Sequence, residues 1–233
     1  MKLKKIASLM LAGIMAVSML AGCKDNGSSS TPNEPTEPVA SGLSAMLADE
    51  MDKDLVEKDY IHFVDGTDEV ALKSATEVIG KINLLGYGEV VTNAELIRWV
   101  SPLAGSQENV AAEFEGKAGL DKYYGTEADY DFFTGSDDLN KTFKSGIIYV
   151  VDGSITNMSA VMKEIAGHLD SKLNVKNMPE NGTVEGTNDK NTEYDFDYNI
   201  AVSVVNVPNE LGMEYNYSYN FISVTITRTA TDA

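Results

Sequence analysis

Apolar and polar residues follow two different periods along this chain, and the change of period divides it. Over 43–103 the period is helical. Leu43, Met46, Leu47, Met51 and Leu55 recur at three- and four-residue spacing with Asp49, Glu50, Asp52 and Glu57 between them. That pattern predicts an amphipathic helix over 43–58 with an acidic outer face. The β-rich run Tyr60–Val64, closed by Asp65-Gly66, predicts a short strand. Ala71, Ala75, Val78, Ile82 and Leu85 form a second helical stripe, ended by Gly86 and Gly88. Thr92 and Glu95 have capping-box spacing and open a third helix with Leu96, Trp99, Val100 and Leu103, stopping near Pro102. A less regular helix is expected over 109–123, interrupted by Gly116 and Gly119.

Beyond residue 140 the period shortens to two. Ile147-Ile148-Tyr149-Val150-Val151 is a continuous apolar run between Gly146 and Asp152-Gly153, which predicts a strand covered on both faces. Val161, Met162, Ile165, Ala166, Leu169 and Leu173 predict a helix over 157–173 packed on that sheet, followed by an exposed loop over 174–192. Segments 193–207 and 213–228, joined by 208–212, then read as a long hairpin. Its alternation inverts partway. Tyr194, Phe196 and Tyr198 on the first strand and Ile222, Val224 and Ile226 on the second are apolar at even positions, with Asp195, Asp197, Thr225 and Thr227 facing away. Nearer the turn, Tyr215, Tyr217, Tyr219 and Phe221 are apolar at odd positions. Side chains alternate strictly, so the apolar set either crosses to the other face or is re-phased by a bulge near Asn220–Ile222.

These elements predict an α+β fold in which a helical N-terminal half packs on an antiparallel sheet that includes the C-terminal hairpin. The 233 residues carry a net charge of −18 with 43% hydrophobic residues, enough to bury a core. An acidic field of that size opposes nucleic acid and favours cations and basic partners.

The first 22 residues are of another kind. Lys2, Lys4 and Lys5 precede an uncharged stretch from Ile6 to Leu20, the pattern of a secretory signal, and that stretch falls short of the ~20 apolar residues of a membrane span. Leu20-Ala21-Gly22-Cys23 resembles the lipobox of bacterial lipoproteins. The resemblance implies cleavage after Gly22, a diacylglyceryl group on Cys23, and anchorage at the extracytoplasmic face of a bacterial membrane. Two acyl chains suffice for stable attachment. Loss of residues 1–22, which hold three lysines and no acid, moves the charge from −18 to −21. Cys23 is the only cysteine, so intrachain disulfides and cysteine metal sites are excluded. Residues 24–41, with Ser28-Ser29-Ser30-Thr31 and Pro32, Pro35 and Pro38, have the composition of a disordered linker. The domain reading is a signal peptide over 1–22, a lipidated linker over 23–41, and one folded domain over 42–233.

Candidate chemistry is sparse. The sequence holds no G-x-S-x-G, S-x-x-K, H-E-x-x-H, Walker A or G-x-G-x-x-G motif, so no catalytic residue and no cofactor is assigned. His62 shares one strand face with Tyr60 and Val64, opposite in phase to Asp65, while His168 falls in step with Glu164 and Ser171 on a polar helix face and reads as solvated. Val151-Asp152-Gly153-Ser154-Ile155-Thr156 resembles the middle of a dockerin or EF-hand loop, but the first ligand positions hold Ile148 and Val150 and the twelfth is Ser159. Asp129, Asp131, Asp137 and Asp138 cluster with Gly135 and are the calcium candidates, against a default of a solvated acidic loop. Ile82–Gly86 followed by Thr92–Leu96 is similar to the end of an S-layer-homology module, without its Asp-Gly-x-Phe-x-Pro link, and is read as two packed helices.

The remaining candidate is the row Tyr215, Tyr217 and Tyr219, whose rings would offer a ligand surface to a glycan or a protein, or else cover a helix of the first half. The expected function is therefore a non-enzymatic surface lipoprotein that binds a ligand or partner. The other two readings are a structural or adhesive component of a surface assembly, and a cell-wall or peptide hydrolase.

Overall fold

The computed structural model describes residues 40–77, 98–99, 110–123, 139–170, 172–184, 191–208 and 218–233. In chain order the elements are α1 (Gly42–Glu50), α2 (Lys53–Val56), β1 (Ile61–Asp65), α3 (Glu69–Glu77), β2 (Arg98–Trp99), α4 (Val110–Ala118), β3 (Lys122–Tyr123), β4 (Phe143–Asp152), α5 (Met158–Leu169), β5 (Asn181–Val184), β6 (Thr192–Pro208) and β7 (Ser218–Asp232). The fold is α+β. Its one sheet has seven strands in the order β1-β6-β7-β4-β2, with β3 beside β4 and β5 beside β6. The sheet is mixed and not purely antiparallel: β1 runs parallel to β6, and β3 parallel to β4.

The hairpin sets the geometry of everything else. β6 and β7 pair without a break from Tyr194↔Asp232 to Pro208↔Ser218, so the pairing is never re-phased and there is no bulge. The inverted alternation on β7 therefore places its apolar residues on both faces in turn. Phe196, Tyr198, Ile200 and Val202 of β6, Ile222, Val224 and Ile226 of β7, and Ile147, Tyr149 and Val151 of β4 fill a first core under α1, α2 and α5. Tyr219 and Phe221 of β7, with Ile148 and Val150 of β4, fill a second core under α3 and α4. β4 is thus buried on both faces, as its unbroken apolar run predicts.

Helix boundaries follow local chemistry. The stripe expected over 43–58 buries Leu43, Leu47, Met51 and Leu55 as predicted, but as two helices. Met51 turns extended, and the Asp52 carboxylate caps α2 by accepting from the Asp54 N–H at 2.9 Å. α4 passes through Gly116 and ends at Gly119, which takes φ +63° while the Leu120 N–H donates back to the Glu115 carbonyl at 2.9 Å. That is a left-handed glycine stop of the Schellman type. α5 buries Val161, Met162, Ile165, Ala166 and Leu169, and the Asn157 side chain accepts from the Ala160 N–H.

Three expected elements differ. Lys122–Tyr123, at the end of the helix expected over 109–123, is strand β3 beside Ser145 and Gly146. Arg98–Trp99, placed by sequence in a third helix, is strand β2, antiparallel to β4 at Val150 and Tyr149. Pairing along a free sheet edge outweighs a helical spacing carried by only a few residues. Within the loop expected over 174–192, Asn181–Val184 forms β5 against Thr192–Asp195. Backbone pairing to an exposed edge needs no apolar pattern, so the sequence carries no mark of it. The second helical stripe beyond Glu77, and the likeness over 82–96, lie outside the described residues.

A buried ionic pin fixes the second layer. Asp68, at the start of α3, accepts from Lys144 Nζ at 2.8 Å and from the Thr225 hydroxyl at 2.9 Å, while its own N–H donates to Ser203 Oγ at 3.0 Å. Four chain segments meet at that one residue. Phe114 is fully buried in the same layer. Replacing it by alanine should cost ~3–5 kcal/mol, the range for a buried aromatic. A urea midpoint within 0.5 kcal/mol-equivalent of wild type, on the order expected of a neutral surface substitution, would show that this layer is not a true core.

Candidate binding surface

The second core covers only half of its face. From the turn end toward the open end of the hairpin, the residues on that face run Val207 and Tyr219, Val205 and Phe221, Ser203 and Ser223, Ala201 and Thr225, Asn199 and Thr227, Asp197 and Thr229, Asp195 and Thr231. The first pairs are apolar or small and lie under α3 and α4. Past Thr225 the sheet is uncovered: Glu193, Asp195, Asp197 and Thr231 are exposed, Thr227 and Thr229 half-buried. β5 widens this bare area, setting Asn181 beside Asp195 and Thr183 beside Glu193, both exposed. Strand alternation makes it a flat array of carboxylates, amides and hydroxyls, spaced ~6.8 Å along each strand and ~4.8 Å between strands.

One histidine belongs to this surface. His62 lies beside Asn199 in the β1–β6 register and places Nε2 3.5 Å from Asp197 Oδ1. Asp65, at the opposite phase of β1, is occupied elsewhere, since its carboxylate accepts from both the N–H and the hydroxyl of Ser41 at 2.8 Å. Those bonds hold the residue just before α1 to the end of β1.

His168 is not the solvated side chain its helical phase suggests. It is half-buried, with Nδ1 2.7 Å from the Tyr149 hydroxyl and Nε2 2.9 Å from Lys172 Nζ. The Lys172 ammonium can only donate, so Nε2 accepts, and the ring proton sits on Nδ1 facing Tyr149. Burial, and then the neighbouring Lys172 charge, lower its pKa. Sequence reading missed this because Tyr149 reaches the ring from β4, a partner that no helical spacing reveals.

At the open end of the first face stands a fully buried arginine. The Arg228 guanidinium carbon lies 4.8 Å from the Phe196 ring centre and 5.9 Å from that of Phe143, and Nη2 donates to the Lys141 carbonyl at 3.4 Å. Its cross-strand neighbour Tyr198 donates its hydroxyl to the Pro179 carbonyl at 3.0 Å. Burial raises the Tyr198 pKa far above the ordinary phenol value, with Arg228 opposing the shift. The arrangement packs a cation between aromatic faces inside the core.

Of the residues singled out from sequence, Tyr219 is 5% exposed and packs in the second core, so it is not part of a solvent-facing tyrosine row. The reason is the unbroken register, which turns odd positions of β7 under α4. Tyr215 and Tyr217, Asp129, Asp131, Asp137 and Asp138, and Cys23 lie outside the described residues. The Asp152 carboxylate, central to the dockerin-like stretch, is satisfied within its own turn by the Ser154 N–H at 2.8 Å and the Ser154 hydroxyl at 2.5 Å. Among the described residues there is no cluster of three or more metal-ligating side chains, and no helix long and apolar enough to cross a membrane. No family model, curated protein or solved structure matches the chain.

The sign of the His168 effect can be worked out. Its folded pKa lies below the unfolded value of ~6.5, so the unfolded chain binds the extra proton and stability falls as pH drops from about 7 through that value. In His168→Gln this increment disappears, and the stability gap between wild type and variant should narrow from pH 7.5 to pH 5, as read by urea midpoints. A gap that widens toward acid would mean the folded state prefers the charged ring.

Proposed function

We propose that the chain is a lipid-anchored, extracytoplasmic binding protein that acts by contact and not by catalysis. The observation that supports this most is the bare half-face bearing Glu193, Asp195, Asp197, Thr229 and Thr231, which stands, among the described residues, beside sheet surfaces packed under helices. Exposed carboxylates and hydroxyls in a regular array suit a partner with cationic or hydroxyl groups, such as a basic protein segment or a glycan.

The anchor reading rests on Leu20-Ala21-Gly22-Cys23 behind a basic and then apolar N-terminus. Residues 24–41 would then be a tether of ~55 Å when extended and about 25 Å as a coil. Its far end is the point where Ser41 is bonded to Asp65. A folded domain on such a tether samples a shell around its anchor, which suits capture of a partner. Against a hydrolase, both His168 nitrogens are engaged by Tyr149 and Lys172, and His62 lies on an open surface with no enclosing walls among the described residues.

Two measurements test the reading separately. Cys23→Ser should abolish metabolic labelling with palmitate and release the protein from the membrane fraction, whereas retention with full labelling would refute the anchor. A photo-crosslinking residue in place of Asp197 should capture a discrete envelope partner in living cells, with much less capture from Lys53 on the helical side. Equal capture at both positions would show that the bare face is not the contact surface.

A further inference from the structure

The turn that leads from α5 to β5 is tied back to the helix through a titratable ring. After α5 the Lys172 and Leu173 N–H groups donate to the Leu169 carbonyl at 2.7 Å, and the Asn177 side chain donates to the Lys172 carbonyl at 2.9 Å. Asn174 closes the turn. Its side chain accepts from the Lys176 and Asn177 N–H groups at 3.1 Å, and its carbonyl from the Met178 N–H at 2.9 Å. Leu173 and Met178 are fully buried, while Val175 between them is exposed. The Pro179 carbonyl then accepts from the Tyr198 hydroxyl at 3.0 Å and the Glu180 carbonyl from the Phe196 N–H at 2.8 Å, and the chain enters β5 beside Glu193 and Asp195. Lys172 Nζ adds a side-chain tie from this turn back to His168 Nε2 at 2.9 Å.

That tie requires a neutral ring. An ammonium only donates, so Nε2 keeps its lone pair and the ring proton lies on Nδ1, 2.7 Å from the Tyr149 hydroxyl. A second proton goes to Nε2. The bond from Nδ1 to Tyr149 survives it, whereas Nε2 then turns an N–H and a positive charge toward an ammonium 2.9 Å away. The effect of the proton therefore falls on the Lys172 side. The other charged groups of α5 are Lys163 and Glu164, with Asp170 at its end, all exposed; those of α1, which packs against α5, are the exposed Asp49 and the half-buried Glu50. Burial first, and then the Lys172 charge, disfavour the second proton.

We propose that the Lys172–His168 bond is an acid-sensitive latch on residues 172–180, whose release opens this segment while the sheet and both cores stay folded. Opening exposes the ring, whose ordinary pKa is ~6.5, while the closed state holds it lower. The open state therefore binds the extra proton, and opening is favoured as pH falls below about 7. One proton sets the scale: between pH 7.5 and pH 5.5 the opening constant rises by at most about tenfold. β5 follows directly on the segment and pairs with the part of β6 that carries Glu193 and Asp195, so acid loosens the rim of the bare face. The latch does not depend on that face binding anything, and its test uses no partner.

Hydrogen–deuterium exchange of the full chain in mild detergent reads the latch, with rates corrected for the intrinsic pH dependence of exchange. In wild type, exchange across 172–180 should rise by up to about tenfold from pH 7.5 to pH 5.5 and stay unchanged by urea well below the unfolding transition, the mark of local opening. His168→Gln, neutral at every pH and able to accept from Lys172, should show no rise. Lys172→Met, which keeps the ring and removes the ammonium, should show a smaller rise than wild type. A corrected wild-type rate that is flat with pH overturns the proposal, as does an equal rise in His168→Gln or in Lys172→Met. Exchange over 172–180 that follows urea in step with β4 and β7 also overturns it, because the segment would then open only with the whole fold.

Discussion

Strict alternation of side chains along an unbroken β6–β7 hairpin is the constraint from which the rest of the fold follows. β7 is apolar at even positions over one half and at odd positions over the other, and its register with β6 never shifts. A strand of that kind cannot be satisfied by one layer of helices. α1, α2 and α5 cover one face, α3 and α4 cover the turn half of the other, and β4 beside it is buried on both sides. The half-face left over is where the alternating partners are Asp, Asn and Thr, which need no cover. Thus the same inversion that demands a second core also determines where the surface stays bare.

Polar groups inside the molecule are placed where layers must be held in register. Asp68 joins α3 to β4 through Lys144, to β7 through Thr225 and to β6 through Ser203. Removal of any one partner would leave a desolvated charge or hydroxyl, so the network specifies one way of docking the second layer. Arg228 does the corresponding work at the opposite end of the first face, between Phe143 and Phe196. Tyr149, His168 and Lys172 tie α5 and the turn after it to β4. These three clusters account for most of the chain's conspicuous buried chemistry, and each is explained by packing.

On the proposed reading, function is a matter of surfaces. The acidic half-face lies toward the open end of the hairpin, whereas the folded domain starts at Ser41, held to the end of β1 beside Val202.

Periodic, strongly apolar segments were legible in the sequence. The stripes of α1, α2 and α5, the doubly buried β4 and the hairpin could be read because burial on one or both faces imposes a period on side chains that propensity alone does not. The inversion in β7 was visible too, although sequence could not choose between a bulge and a change of face. What only the tertiary structure decided depends on contacts between distant segments. Backbone pairing made β2 and β5 strands without any apolar signature, a tyrosine from β4 drew His168 out of solvent, and a helix from the first half of the chain roofed Tyr219. A linear sequence encodes which side chains seek burial, whereas partners that no local spacing reveals decide which of them find it.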